Sequence, residues 1–259
     1  MPPSRSDPKP FTFPMLLTET LSKRYGETIA LANASITFRA GTIHTILGEN
    51  GSGKSTFVKL LSGVVSPDRG TIALNGRPLV LRGPADAQAA GIATVFQEVL
   101  IAPDRSVADN ILLGTDRLFG RNTPRGERDA RAEAVLKPLS SVPVDPRAPA
   151  GLLPLATQQL VVLARALYRK PRVLILDEVT AALDFGDREA VFSAMRRLAE
   201  RGTLILFITH RMDEVMSLSD EVSILRAGRS VATLPIGQCE PAQLLKLMAP
   251  QTAAELAHA

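Results

Sequence analysis

Apolar positions along this chain fall into two patterns, short continuous runs and helix-spaced stripes. Ile43–Leu47, Thr71–Leu74, Gly91–Phe96, Val173–Leu176 and Thr203–Ile208 are continuous runs of strand length. Asn75-Gly76 follows the second of them and is a hairpin signal, because both residues tolerate the positive φ such a turn needs. In Gln158–Tyr168 the residues Leu160, Leu163, Ala164 and Leu167 recur at helical spacing, with Pro171 just beyond. Phe185–Arg201 carries Val191, Phe192, Met195 and Leu198 on one face and ends at Gly202. Val222–Leu225 and Ser230–Leu234 predict a short hairpin around Ala227-Gly228, and Pro241 suits the first turn of a tail helix. From Gln97 to Pro154 prolines and charges rise, and the one helix predicted is Glu127–Leu139, so this stretch reads as an inserted helical subdomain. Strands that alternate with helices predict an α/β fold with a largely parallel sheet.

Composition narrows the choice. A chain of 259 residues, 45% hydrophobic with net charge +4, buries a sizeable core in one large domain or two modest ones. It is not a disordered chain, and no apolar run approaches the roughly 18 residues of a membrane-spanning helix. The single cysteine, Cys239, excludes an internal disulfide framework and a multi-cysteine metal site. His44, His210 and His258 are scattered, so zinc is not expected. The pI near 9.5 raises the question of nucleic acid. However, in the densest basic stretch Arg117, Arg121, Arg125, Arg128 and Arg131 are interleaved with Asp116, Glu127, Asp129 and Glu133, which reads as a solvated helical face. Aromatics are only 4% with no tryptophan, a poor supply of stacking platforms, so no nucleic-acid partner is expected. The opening MPPSRSDPKPFTFP lacks a signal-peptide core. The expected organisation is a disordered Pro-rich tail over 1–14, one domain over 15–250 with its helical subdomain at about 97–158, and a C-terminal tail over 251–259. A cytoplasmic location is expected.

The strongest chemical signal is Gly48-Glu49-Asn50-Gly51-Ser52-Gly53-Lys54-Ser55-Thr56, which fits G-x-x-x-x-G-K-[ST] between an apolar strand and an amphipathic segment. Its glycines let the backbone curl so that N–H groups face a phosphate chain, and the following helix N-terminus adds partial positive charge. Lys54 is expected on the β- and γ-phosphates and Ser55 on Mg²⁺. Downstream, the strand Val173–Leu176 delivers Asp177 to the carboxyl edge of the sheet, where ligands of open α/β sheets sit. Asp177 is a candidate Mg²⁺ ligand, and Glu178 a candidate general base or water-positioning group. Gln97 ends the strand GIATVF and is placed to sense the γ-phosphate and couple it to movement. His210 ends another strand; two readings stand, a γ-phosphate contact or a plain helix N-terminal residue. Tyr25 likewise reads either as a base-stacking ring or as core.

Together these motifs resemble the ATP-binding cassette (ABC) family over about Leu16 to Met248. The pieces that carry the likeness are Tyr25, GENGSGKST (48–56), VFQE (95–98), VLILDE (173–178), VTAALD (179–184) and ITHR (208–211). The resemblance implies a P-loop NTPase core, an antiparallel β subdomain and an inserted α-helical subdomain. It implies ATP and Mg²⁺ as ligands, with Ser55, Gln97 and Asp177 at the metal. It also implies Tyr25 on the adenine, Gln97 as coupling glutamine, Glu178 as hydrolytic carboxylate and His210 as switch histidine. LLSGVVSPDRGTI, the segment Ser106-Val107-Ala108-Asp109-Asn110-Ile111 and THRMDEV are similar to cassettes of bacterial ribose, xylose and galactose importers. That likeness implies an ATPase on the inner face of the cell membrane, an integral-membrane permease and, indirectly, a substrate-binding protein. It also implies a second cassette, identical or different. The alternative is a nucleotide-gated regulatory or soluble cassette with slow turnover and no transport role.

One segment departs from the family. Where an LSGGQ-type motif is expected, the chain has Leu153-Pro154-Leu155-Ala156-Thr157-Gln158-Gln159. Pro154 removes a hydroxyl and an N–H, and Leu155 and Ala156 replace glycines. Thr157 is the remaining candidate for a capping hydroxyl. Val179 stands where proline is common.

Overall fold

The computed structural model describes residues 14–115 and 123–249. Arg117, Arg121, Asp116, the expected tail up to residue 13 and the expected C-terminal tail lie outside the described residues. In chain order the strands are β1 (Pro14–Tyr25), β2 (Thr28–Arg39), β3 (Ile43–Leu47), β4 (Arg69–Leu74), β5 (Arg77–Pro78), β6 (Ile92–Val95), β7 (Val173–Asp177), β8 (Leu204–Ile208), β9 (Glu221–Arg226) and β10 (Arg229–Pro235). The helices are α1 (Lys54–Leu61), α2 (Pro84–Ala89), α3 (Val107–Ile111), α4 (Arg125–Leu136), α5 (Leu155–Tyr168), α6 (Phe185–Glu200), α7 (Met212–Leu218) and α8 (Pro241–Met248).

The strands form one sheet in the order β5-β4-β1-β2-β10-β9-β3-β8-β7-β6. β1, β2, β4 and β5 pair antiparallel, whereas β3, β6, β7 and β8 run parallel. The two halves meet where β10 pairs with β2 at Arg229↔Asn33. This is the expected α/β arrangement with an antiparallel subdomain.

β3, β7 and β8 are buried along their whole length, as strands covered on both faces must be. Alternate residues of β7 and β8 divide between the two layers. Leu174, Leu176, Ile205 and Phe207 pack with Leu160 and Leu163 of α5 and Val191 and Phe192 of α6. Val173, Ile175, Leu204, Leu206 and Ile208 pack with Phe57, Leu60 and Leu61 of α1. These are the residues whose spacing marks the strands and helices in the sequence.

α3, α4 and the start of α5 build the helical insertion. Its hub is Asn110, 1% exposed. The Asn110 side chain accepts from the Ala102 N–H (2.8 Å) and donates to the Ala102 carbonyl (2.9 Å), while Arg165 Nε donates to the Asn110 carbonyl (2.7 Å). On α4, Arg128 pairs with Asp109 and Arg131 with Glu127 at the solvent boundary, as a solvated face would have it, but Asp129 departs from that reading: it is buried and pairs with Arg147. The helix expected over Glu127–Leu139 begins at Arg125 and gives way at Lys137–Leu139 to a 3₁₀ turn. Pro138 has no N–H to continue the ladder.

β3 also sends His44 into a fully buried polar cluster between the two halves of the sheet. Its Nε2 lies 2.8 Å from Ser223 Oγ, and its ring meets Phe38 edge-on at 4.6 Å. Nδ1 lies 3.4 Å from a Glu221 oxygen, but Arg39 already engages the Glu221 carboxylate. Burial, reinforced by the charge of Arg39, pushes the imidazole pKa down to about 3.

Candidate functional site

β3 ends at the carboxyl edge of the parallel strands and turns directly into the glycine loop. Gly48 has no room for a side chain: a Cβ there meets the Leu225 carbonyl at 2.3 Å and Ser52 Oγ at 2.4 Å. Gly53 caps α1 at φ 104, a left-handed conformation that disfavours any side chain. The loop is held by Ser52 N–H to the Glu49 carbonyl (3.1 Å) and by Gly228 N–H to the Ser52 carbonyl (3.0 Å). Asn50, Gly51 and Ser55 are exposed, and Thr56 is half-buried on the first turn of α1.

Lys54 folds back over the loop and donates to the carbonyls of Gly48 (2.7 Å) and Glu49 (3.0 Å). Burial pulls its pKa down, and the charges of Glu178 and Asp177 oppose that. Those carboxylates therefore face the ammonium group across the same edge.

Asp177 is the last residue of β7 and pairs with Ile208 of β8. Burial and the neighbouring Glu178 charge raise its pKa to about 6, against Lys54 and Lys59. The two adjacent carboxylates are only partly offset by the lysines, which is the environment a hard cation relieves. Glu178 leaves the strand at φ 51, rare for a residue with a side chain. Its N–H donates to the Ile208 carbonyl at 3.0 Å, and its Oε1 lies 3.6 Å from Nδ1 of the largely exposed His210. Lys54, Asp177, Glu178 and His210 are thus brought together.

β6 pairs with β7 from Ile92↔Val173 to Val95↔Leu176 and ends there, so the exposed Gln97 stands two residues beyond the strand rather than at its end, at the same edge of the sheet. Tyr25 ends β1 and is 45% exposed, so it is not core. It sits on the hairpin whose return strand brings the Ala30 carbonyl to 2.7 Å of a Cβ placed on Gly53.

The 153–159 segment corrects one expectation. α5 starts at Leu155 with Pro154 as its cap and no side-chain cap bond. Thr157 therefore lies inside the first turn and does not cap the helix. Leu152 (81%) and Leu155 (60%) are exposed beside it.

Three polar residues close to the edge carry no signal in composition or periodicity. Thr180, Thr209 and the buried Glu214 are joined by hydrogen bonds behind Glu178 and His210. The pointers in the sequence are that Thr180 falls within VTAALD and that Thr209 and Glu214 fall within THRMDEV.

A glycine loop running from a parallel strand into a helix, with a lysine and two carboxylates across the sheet edge, defines a phosphate-loop nucleotide-binding protein. The family model described as ABC transporter matches residues 31–181. The chain belongs to the ABC transporter family. It is 44% identical over 236 residues to ribose import ATP-binding protein RbsA 1 of Rhizobium johnstonii, covering 91% of this chain and 46% of that protein. Against ribose import ATP-binding protein RbsA 2 of Streptomyces avermitilis it is 42% identical over 237 residues, again covering 91% of this chain and 46% of the relative. The chain thus spans about half the length of the curated relatives it matches. Among solved structures, the MJ1267 ATP-binding cassette of an ABC transporter superposes with TM-score 0.78 at 26% identity, over 92% of this chain and 100% of that one. The dimeric post-hydrolysis MJ0796 cassette bound to ADP and Pi gives TM-score 0.76 at 24% identity, over 86% and 99%. The ABC ATPase fold expected from the sequence is the fold observed.

Proposed function

We propose that this chain binds Mg·ATP, hydrolyses it to ADP and phosphate, and so energises a membrane importer for a sugar. The observation that carries the reading is the convergence of Lys54, Asp177, Glu178 and His210 on the edge where the glycine loop begins. In this reading the backbone of Gly48–Thr56 cradles the phosphates and Tyr25 stacks on the adenine. Ser55, Gln97 and Asp177 are all oxygen donors, the chemistry Mg²⁺ takes when phosphates supply the rest of its shell. The ion would supply charge neutralisation at the phosphates. Glu178 accepts a proton from the attacking water, His210 contacts the γ-phosphate side, and Gln97 couples the site to the helical insertion.

The sugar cargo rests on the relatives, which are named for ribose import. The partners proposed are a second cassette, identical or different, an integral-membrane permease and, through it, a substrate-binding protein. No helix among the described residues is long and apolar enough to cross a membrane, so a peripheral position on the inner membrane face is proposed. The domain is taken as 15–250, with the helical subdomain at about 97–158.

Phosphate release by the purified chain tests the enzymatic part. Glu178→Gln should keep ATP affinity within about twofold and lose at least about 100-fold in turnover. Near-normal turnover removes Glu178 from the base role. Co-purification with a polytopic permease tests the transport part. Pro154 at the start of α5, with no side-chain cap bond there, favours the second reading on its turnover, a slow nucleotide-gated cassette without transport. Slow turnover with no membrane partner decides for it.

A further inference from the structure

We propose that Glu214 is a positioning residue that staples the loop after Glu178 to the loop carrying His210. Glu214 lies in the first turn of α7 and is 1% exposed. A carboxyl group so deeply buried needs hydrogen-bonding partners. Its Oε2 accepts the hydroxyls of Thr180 (3.0 Å) and Thr209 (2.6 Å), and its Oε1 faces Arg211 Nη1 at 3.4 Å. Thr180 is two residues past Glu178, and Thr209 immediately precedes His210. The bonds therefore run from one site loop to the other, not to the backbone of α7. The helix entry is served separately, by Arg211 N–H donating to Thr209 Oγ1 at 3.1 Å.

The staple explains two features. Glu178 holds φ 51, a conformation that costs free energy and survives where its surroundings over-determine it. The 3.0 Å backbone bond from Glu178 to Ile208 fixes the near end of the loop, and Thr180 on Glu214 fixes the far end. The 3.6 Å separation of Glu178 and His210 then depends on the relative placement of two loops that Glu214 holds together. The proposal rests on the reading of Glu178 and His210 as the hydrolytic pair, since only then does their spacing govern turnover.

The test compares the full-length wild type with Glu214→Gln, Thr180→Val, Thr209→Val and Thr180→Ser. Three quantities are read: steady-state phosphate release, ATP affinity, and amide hydrogen exchange. Displacing catalytic groups by a fraction of an ångström to an ångström lowers turnover by roughly 10–100-fold. That loss is expected in Glu214→Gln and the two valine variants, with ATP affinity unchanged because the glycine loop is untouched. Exchange should quicken in peptides 178–184 and 208–212 but not in 43–61, and Thr180→Ser should restore both readouts. Wild-type turnover together with wild-type exchange in both loops overturns the staple. So does a loss shared with weakened ATP affinity and faster exchange throughout, which marks a general fold defect. If the wild-type chain releases no phosphate, the hydrolytic reading falls, and the exchange pattern alone decides whether Glu214 holds the loops.

Discussion

Acidification from pH 7 to pH 5 should destabilise the protein through His44. The imidazole is fully buried between Phe38, Ser223 and Glu221, with its pKa depressed to about 3. In the unfolded chain it returns to about 6.5. Between those values the unfolded state binds the extra proton, so the stabilisation is fully present above about 6.5 and is lost as pH falls toward the folded value. The difference amounts to about 2 kcal/mol at pH 5 and approaches about 5 kcal/mol only below the folded pKa. The Glu221 carboxylate favours the opposite outcome, but Arg39 already engages it and adds its own repulsion of an imidazolium. Asp177 contributes with the opposite sign: its folded pKa is raised to about 6, so its protonation favours the native state as pH falls. A difference measurement removes that term. Urea unfolding of the wild type and His44→Gln at both pH values should show the wild type losing about 2 kcal/mol more than the variant. Identical pH dependence in the two proteins would refute a neutral, buried His44.

Other outcomes follow from the same contacts. Pro154→Ser restores a capping hydroxyl and an N–H at the start of α5, so steady-state phosphate release should rise; unchanged or lower turnover counts against the segment as the brake. Gly48→Ala drives a methyl to 2.3 Å from the Leu225 carbonyl, and should cost about 1–3 kcal/mol in urea unfolding and weaken ATP affinity about tenfold or more. Asn110→Ala leaves the Ala102 N–H and carbonyl without their buried partner. Denaturation should register a loss of about 3 kcal/mol, with the change focused on the helical insertion.

Much of the fold was legible because its central strands are covered on both faces. Continuous apolar runs such as Val173–Leu176 and Thr203–Ile208 admit few other readings, and Asn75-Gly76 is observed at φ 51 and 72 as a hairpin turn demands. α2 and α3 were missed as helices because six and five residues are too few to display a helical period. Capping explains the early start of α5: Pro154 supplies a helix-compatible φ of −55, whereas the apolar stripe becomes readable only from Leu160. At the site, the glycine loop and the acidic strand end announce themselves locally. The left-handed Glu178 and the Glu214 bonds do not, since each depends on segments brought together only by the sheet.

The seating of β3 has a consequence for how the protein is made. The strand that feeds the glycine loop hydrogen-bonds to β8 on one side and β9 on the other. Both neighbours lie in the last quarter of the described chain. During synthesis, Lys54 is in the nascent polypeptide long before the strands that hold its loop have emerged. Nucleotide cannot assist the early stages of folding, because the cradle closes only after Ile224 is free to pair with Leu47. Such distant pairing makes assembly of this half of the sheet a slow, late event, and a chain truncated before β8 should leave the ribosome with its phosphate motif intact and its nucleotide affinity absent.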